Sequence, residues 1–379
     1  MSSSVDNPFL VYRDRLDSYQ AVRSGQLSDD RFVSIVSELD AAVAEVEGHG
    51  FVITPLVDAT ELAAAIGPDV ELLVKAEPGN VGGSHKARHL FGVAIQMLVD
   101  EELGAPRAEH LAIASCGNAA MGAGVVAAAL KRRLDVFVPT WADEAIVARL
   151  GDLGAEVNHC PRRDGEAGDP AYLRFREAVA GGVRSFSVQG TDTPATFDGG
   201  RTLGWELADQ APGGLTEQDS LYIQVGGGAL ATAVSMAVPH VPLYPVQTEG
   251  CAPLRRAWDL LAPEFDFARA EASPEEYMWA WEQEPHSLAT GILDDVTYDW
   301  LPLLRQTRQS GGEPIVVAES FVEQAYAMAH AHTSVPVCST GSAGLAGVLQ
   351  AQQRSAASNG DRSGAGRIIV LFTGIDERT

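Results

Sequence analysis

Cysteine is scarce in this chain, and its spacing excludes two kinds of site. The four cysteines lie far apart and form no C-x-x-C pair; they stand at positions 116, 160, 251 and 338. A disulfide framework or a zinc site needs cysteines in close or regular spacing. We therefore expect reduced thiols, a cytoplasmic location and no bound metal.

Positive charge is also in short supply. The chain has 27 lysines and arginines against 51 aspartates and glutamates, which gives a formal net charge of -24. The resulting field repels polyanions, so we expect no binding to nucleic acid or to an anionic membrane. An anionic small ligand then needs a local site, such as backbone amides at a helix N-terminus.

Long apolar runs and targeting features are missing as well. No apolar run has the length needed to span a bilayer. The first residues show neither the basic nor the apolar segment of a signal peptide. With 379 residues, of which 46% are hydrophobic, the composition is that of a globular protein with a full core.

The order of the predicted elements indicates an α/β fold. Strand 111–115 precedes helix 119–130, and strong strands recur at 221–225 and 368–372. Strand–helix repeats with short joints build parallel sheets that carry helices on both faces. The residue pattern of the acidic and aromatic segment 264–288 does not assign it to a helix or to a strand.

Lys86 stands between a predicted strand, 71–75, and a predicted helix. A loop with three glycines separates them, and Ser84 is the expected N-cap of the helix. A cation in the first turn opposes the helix macrodipole, so this position favours an amine that loses its proton easily. Such a lysine can form a Schiff base; the alternative is a solvated residue at a helix start.

A second glycine-rich loop, Gly226-Gly227-Gly228, joins an apolar strand to a helix of small residues that begins at Ala229. Backbone N–H groups of such a loop can hold a phosphate. Three interpretations stay open here: a dinucleotide site, a phosphate monoester site and a tight turn. In the dinucleotide interpretation, the loop and Ala231 form the motif G-x-G-x-x-A, and Glu249 binds a ribose hydroxyl.

Two further turns follow strands and open helices. In Ser115-Cys116-Gly117-Asn118-Ala119, backbone amides could bind a carboxylate, and Asn118 could donate to a phenolic oxygen. In Ser339-Thr340-Gly341-Ser342, a hydroxyl could meet a ring nitrogen. The alternative for both turns is a helix cap, for which Ser and Asn are common.

In this order, the lysine motif, the S-x-G-N loop, the glycine loop and the Ser/Thr turn resemble the fold-type II pyridoxal-phosphate enzymes. That group contains threonine synthase, serine and threonine ammonia-lyases, tryptophan synthase β chain and cysteine synthase. The resemblance runs from Thr54-Pro55-Leu56 to Leu371-Phe372-Thr373-Gly374. Asp198-Gly199-Gly200-Arg201-Thr202, followed by Glu206, is similar to the threonine synthase and ammonia-lyase branch.

The resemblance implies two αβα domains, each with a parallel sheet, and a cofactor in the cleft between them. Residues 1–89 and 185–379 would form the large domain that binds pyridoxal 5'-phosphate. Residues 90–184 would form a smaller, mobile α/β domain. Relatives are commonly dimers, so a homodimer is expected.

The resemblance also implies a role for each motif. Lys86 would hold the cofactor as an internal aldimine and later move the substrate α-proton. Asn118 would bond the phenolic oxygen, and Thr340 would face the ring nitrogen. The cofactor phosphate would lie on Gly226, Gly227, Gly228 and Ala229, and the carboxylate of an amino-acid substrate on Ser115, Gly117, Asn118 and Ala119.

A neutral hydroxyl at Thr340 leaves the ring nitrogen largely unprotonated, which makes the ring a weaker electron sink. That favours α,β-elimination from a β-substituted amino acid, through an aminoacrylate and with release of ammonia. β-Replacement and threonine synthase-like γ-replacement stay open, as do a nicotinamide-dependent oxidoreductase and a catalytically inactive ligand-binding relative. His85 and Cys116 depart from the residues usual in this group, which leaves the substrate open.

Overall fold

The structure, a computed structural model, describes residues 6–166, 168–357 and 366–376. Its helices are α1 Pro8–Val11, α2 Gln20–Arg23, α3 Asp29–Glu47, α4 Thr60–Ile66, α5 Lys86–Glu102, α6 Asn118–Leu130, α7 Glu144–Asp152, α8 Pro170–Ala180, α9 Thr196–Gln210, α10 Ala229–Ala237, α11 Pro253–Leu261, α12 Phe267–Ala272, α13 Trp300–Ser310, α14 Glu319–His332 and α15 Ser339–Ala357. Its strands are β1 Leu56–Asp58, β2 Leu72–Ala76, β3 His110–Ala114, β4 Arg133–Pro139, β5 Glu156–Cys160, β6 Arg184–Ser185, β7 Ser220–Gln224, β8 Leu243–Thr248, β9 Ile315–Val317 and β10 Ile368–Phe372.

The described residues fall into two compact units. The first comprises Met1–Ile53 and Asn80–Thr202, and the second comprises Thr54–Gly79 and Leu203–Thr379. Among the described residues, no helix combines the length and the apolar character needed to cross a bilayer.

The first unit is built on a four-stranded sheet in the order β5-β4-β3-β6. All of its strand pairs are parallel, and Ala114 at the end of β3 lies opposite Phe137 of β4. Helices α6 and α8 pack on the sheet, and α3 and α5 pack on α6. The parallel arrangement confirms the α/β prediction for this stretch, and the bounds of β3 and α6 lie within one residue of those predicted.

The second unit is built on a six-stranded sheet in the order β1-β2-β10-β7-β8-β9, in which only the β1–β2 pair is antiparallel among the described strands. Successive side chains of β7 pack into two different hydrophobic cores, one on each face of the sheet. Leu221 and Ile223 pack with Leu230 of α10, whereas Tyr222 packs with Leu345 of α15. Both faces of the sheet are therefore covered by helices, as the apolar run of this strand predicts.

The two units differ from the domains expected from the sequence, in which 1–89 joined 185–379. Helix α3 packs on α5 and α6, so the N-terminal segment belongs with the smaller sheet. The carboxylate of Asp198 accepts hydrogen bonds from the backbone N–H groups of Asp17 (3.0 Å) and Ser18 (3.1 Å). These bonds hold the N-terminal segment against the start of α9 within the first unit. The helical spacing of α3 predicts a helix, but it does not tell which sheet that helix joins.

A buried ion pair anchors β2 in the second unit. The side chains of Lys75 and Glu206 are fully buried, and Lys75 Nζ lies 2.5 Å from Glu206 Oε2. The same ammonium donates to the carbonyl of Thr54 at 2.6 Å and to Gln210 Oε1 at 2.8 Å. Thr54 in turn donates through its hydroxyl to the buried carboxylate of Glu77 at 2.5 Å. Each of these charges is stable inside the protein only while its partners stay in place.

We predict that Lys75→Met lowers the free energy of unfolding by about 3–5 kcal/mol, because it leaves the buried Glu206 carboxylate without its cation. Urea denaturation followed by tryptophan fluorescence measures this, since five of the six tryptophans lie in the second unit. Arg269→Ala, which breaks the exposed Arg269–Glu276 pair of the same unit, is the control and should change little. Equal midpoints for the two variants would contradict the prediction.

Candidate active site

Lys86 is the first residue of α5, as the sequence predicts. A short 3-10 turn, Val81–Gly83, precedes it. The N-cap position belongs to His85, which makes no side-chain cap, and not to Ser84 as expected. Ser84 Oγ instead accepts a long hydrogen bond, 3.4 Å, from the N–H of Lys86, because it lies two residues before the helix. The Lys86 side chain is partly buried at the helix start.

The loop Ser115–Ala119 follows β3 and opens α6 in the same unit as Lys86. Gly117 is the N-cap residue, and no side chain of the described residues caps α6. Ser115 Oγ accepts from the N–H of Gly117 at 3.4 Å, within the loop. The helix-cap interpretation of Ser115 and Asn118 is therefore wrong, and the first N–H groups of α6 are oriented to bind an anion.

The glycine loop 226–228 joins β7 to α10 in the second unit. Gly228 has φ 100°, a left-handed conformation that strongly favours glycine. A Cβ on Gly226 would lie 2.4 Å from Asp294 Oδ2 and 3.0 Å from the Cα of Ile292, so a side chain does not fit there. No side chain of the described residues caps α10, which starts at Ala229. The loop thus presents backbone N–H groups at a helix N-terminus, the arrangement that suits a phosphate.

Thr340 is the second residue of α15, and its hydroxyl is positioned by the backbone. Thr340 Oγ1 accepts a hydrogen bond from the N–H of Gly291 at 2.9 Å. A hydroxyl that accepts in this way still has its own proton to donate, for example to a ring nitrogen. Next to it, Cys338 Sγ accepts from the N–H of Gly341 at 3.2 Å, and burial raises the pKa of this thiol. Cys338 therefore caps the helix that carries Thr340.

The segment 290–294 brings these two parts of the second unit together; it follows the acidic and aromatic segment 264–288, which contains α12 and a 3-10 turn, Pro274–Glu276. Its turn Thr290–Ile292 contacts Thr340 through Gly291 and the glycine loop through Ile292, and Asp294 lies against Gly226. Sequence reasoning missed these residues because the contacts are made by backbone atoms. Gly291 was the available signal, since a Cβ there would lie 2.9 Å from Thr340 Cγ2.

Glu249, the residue on which the dinucleotide interpretation depends, has another partner. Its Oε1 accepts from the N–H of Glu319, the first residue of α14, at 3.1 Å. Glu249 therefore acts as a helix cap. Within residues 6–166, 168–357 and 366–376, no three histidine, cysteine, aspartate or glutamate side chains come together as metal ligands.

The comparison with known families bears on the interpretation of the glycine loop. A family model described as pyridoxal-phosphate dependent enzyme matches residues 49–374. The chain belongs to this family. Its cofactor is pyridoxal 5'-phosphate, which carries a single phosphate, so the loop interpretation that agrees with the family is the phosphate monoester site and not the dinucleotide site.

Individual relatives within the family are distant. The chain is 29% identical over 206 residues to a serine dehydratase-like protein of Rattus norvegicus, a match that covers 52% of this chain and 57% of that protein. The chain thus spans little more than half the length of this relative. It is 27% identical over 322 residues to threonine synthase of Synechocystis sp., covering 83% of this chain and 75% of that one.

Solved structures show the same fold. The processed form of threonine deaminase isoform 2 from Solanum lycopersicum superimposes with a TM-score of 0.65 at 18% identity, covering 92% of this chain and 91% of that one. A diaminopropionate ammonia lyase of Escherichia coli superimposes with a TM-score of 0.65 at 18% identity, covering 90% and 89%. The fold of this chain is therefore that of the fold-type II enzymes, as predicted.

Each unit, taken by itself, contains residues of the kind that bind pyridoxal phosphate. A cofactor of this kind needs a lysine amine, a phosphate site and a partner for the ring nitrogen. The chain offers Lys86 at a helix start, an uncapped glycine loop in which a Cβ on Gly226 would clash, and a Thr340 hydroxyl with a proton to donate.

We predict that Gly227→Asp lowers the affinity for pyridoxal phosphate at least about tenfold, because it adds a negative charge to the loop that would hold the phosphate. Titration of the apoprotein with pyridoxal phosphate, followed by fluorescence, measures the dissociation constant. Glu249→Ala is the control: it removes the cap of α14 and should leave cofactor affinity within about twofold. An affinity for pyridoxal phosphate that is equal in Gly227→Asp and in the wild-type protein would contradict the assignment of the phosphate to this loop.

Proposed function

We propose that this chain is a pyridoxal-phosphate-dependent lyase that eliminates the β-substituent of an amino acid and releases ammonia. Two observations carry the proposal: Lys86 starts α5 behind a glycine-rich loop, and Thr340 offers a neutral hydroxyl, which would be the partner of the ring nitrogen. Similarity to a serine dehydratase-like protein supports the same class of reaction.

The lysine content of the chain singles out Lys86. The sequence contains three lysines, at positions 75, 86 and 131. Lys75 is fully buried in its ion pair with Glu206. Lys131 is exposed at the C-terminal end of α6, with φ 53°. Lys86 alone among the three follows a glycine-rich loop, which leaves it as the residue that would bind the cofactor aldehyde.

Each part of the site would then have one task. Pyridoxal phosphate, when bound, supplies an electron sink for the bonds at the substrate α-carbon. The Lys86 amine would take the proton from that carbon, while the N–H groups at the start of α6 hold the substrate carboxylate. Asn118 would donate to the phenolic oxygen of the cofactor, and Gly226 to Ala229 would hold its phosphate. The Thr340 hydroxyl would donate a hydrogen bond to the ring nitrogen and keep its own proton, so the ring would stay neutral.

Replacement chemistry is the second candidate. The match to threonine synthase covers 83% of this chain, more than the match to the serine dehydratase-like protein. That observation favours a γ-replacement on a substituted homoserine, or a β-replacement, over elimination. We propose elimination because the sequence contains no further motif that would bind a second nucleophile. As the resemblance implies, we also expect a homodimer.

We predict that borohydride reduction fixes the cofactor on Lys86. With three lysines in the chain, peptide mapping distinguishes all possible outcomes. Lys86→Ala should abolish the reducible absorption band and lower turnover by about 10²- to 10⁴-fold, the usual contribution of a proton-transferring group. Label on Lys75 or Lys131 in the wild-type protein would overturn the assignment.

We predict that the protein forms a 2-oxo acid and ammonia from at least one of serine, threonine, 2,3-diaminopropionate or an O-substituted serine. The products are measured by a coupled dehydrogenase for the 2-oxo acid and by a separate ammonia assay. Lys86→Ala is the control for background reaction. Product that appears only after a thiol or an amine is added would move the protein to the replacement class.

A further inference from the structure

Gly122 of α6, the helix that carries Asn118, packs on the backbone of α5, the helix that carries Lys86. A Cβ on Gly122 would lie 3.0 Å from both the N and the Cα of Ala87 and 3.4 Å from its Cβ. Gly82 of the preceding loop packs on the same point, because a Cβ there would lie 3.7 Å from the Cα of Gly122. The backbone next to Lys86 thus rests directly on the backbone of α6.

The other side of α5 is blocked by α9. A Cβ on Gly199 would lie 2.0 Å from the carbonyl oxygen of Arg88, and a Cβ on Gly92 would lie 2.8 Å from the N of Gly199. With 3.6 residues per turn, Gly92 lies about 140° around α5 from Ala87. Two glycine contacts on nearly opposite sides therefore hold the first turns of α5. Helix α5 therefore has no room to move away from α6 toward α9.

Gly122 is also one helical turn from Asn118. Four residues of α-helix separate them, a rise of about 6 Å. Ala87, which Gly122 contacts, is the residue after Lys86. The contact between Gly122 and Ala87 therefore lies between the start of α5 and the start of α6, inside the first unit.

We propose that Gly122 is a positioning residue that fixes Lys86 relative to the carboxylate-binding loop Ser115–Ala119. This inference rests on the proposed function, in which Lys86 takes a proton from a substrate whose carboxylate lies on that loop. A Cβ at position 122 would lie closer to the backbone of Ala87 than a Cβ normally does. Because α9 blocks the retreat of α5, α5 and α6 must shift relative to each other by a few tenths of an ångström, which changes the spacing between Lys86 and the loop. Proton transfer is sensitive to such a displacement because the reacting atoms must be held within a narrow range of distances.

Gly122→Ala is the direct test, and Gly124→Ala is its matched control on the same helix. A Cβ on Gly124 would meet Leu153 Cδ1 at 2.9 Å and Leu150 Cδ2 at 3.2 Å, both of which are ends of flexible side chains. Both variants replace glycine by alanine inside α6, so both gain the same helix propensity. They differ in whether the new methyl group meets the backbone beside Lys86.

Two readouts apply to the apoprotein and the cofactor alone. Competitive labelling of the apoprotein with acetic anhydride across pH gives the reactivity of Lys86, and the rate at which the visible band appears after pyridoxal phosphate is added reports cofactor attachment. We expect Gly122→Ala to slow attachment at least about tenfold and to change the labelling profile of Lys86, as a displacement of this lysine implies. Gly124→Ala should match the wild-type protein within about twofold.

A third readout separates positioning from substrate binding. For the best substrate of the panel, Gly122→Ala should lower kcat at least about tenfold while KM stays within about threefold, because the α6 N–H groups still bind the carboxylate. If Gly122→Ala does not fold, Ala87→Gly tests the same contact from the α5 side. This variant removes the methyl group that packs over Gly122 and should change Lys86 labelling in the same assay.

The outcomes distinguish this inference from the proposed function. Failure of the wild-type protein to attach pyridoxal phosphate at Lys86 would overturn the proposed function. Attachment in the wild-type protein, with equal rates and equal Lys86 labelling for Gly122→Ala and Gly124→Ala, would overturn the positioning role alone. A loss of kcat shared by both variants would do the same.

Discussion

The buried pair of Lys75 and Glu206 is the constraint on which the second unit depends. A charge without access to water is tolerated only when its partners are fixed, so β2, α9 and the segment at Thr54 have to meet at one point. Glu77, at the end of β2, joins the same network through Thr54. The chain then continues directly into the loop before Lys86. Lys75 of this ion pair therefore lies eleven residues before the proposed reactive amine.

Binding of an anionic cofactor by a chain with net charge -24 depends on local geometry and not on the overall field. The phosphate site proposed here contains no lysine or arginine among Gly226 to Ala229. It consists of backbone N–H groups at the start of α10, and Asp294 lies against the same loop. Partial positive charge at a helix N-terminus acts over short distances, whereas salt screens the distant acidic surface.

Much of the fold and of the candidate site could be predicted from the sequence, because strand–turn–helix units have strong local signals. Apolar strands, glycine loops and small-residue helices located Lys86, the Ser115 loop and the glycine loop correctly. What failed depends on tertiary contacts. Ser84 does not cap α5. Segment 264–288 has no clear period although it contains α12, and the residues after it are held by tertiary contacts such as the hydrogen bond from the N–H of Gly291 to Thr340 Oγ1. The helical spacing of α3 likewise does not predict that this helix packs with the smaller sheet.

The three lysines of this chain occupy three different environments: a buried ion pair, a helix start beside a glycine loop, and an exposed helix end. In spectroscopic terms, this makes lysine a site-resolved probe. A sample labelled with ¹³C at the lysine ε-carbon contains three reporting groups in a protein of 40.1 kDa. One resonance reports on the core of the second unit, one on the proposed reactive amine and one on solvent, so ligand binding and unfolding can be followed separately in a single spectrum.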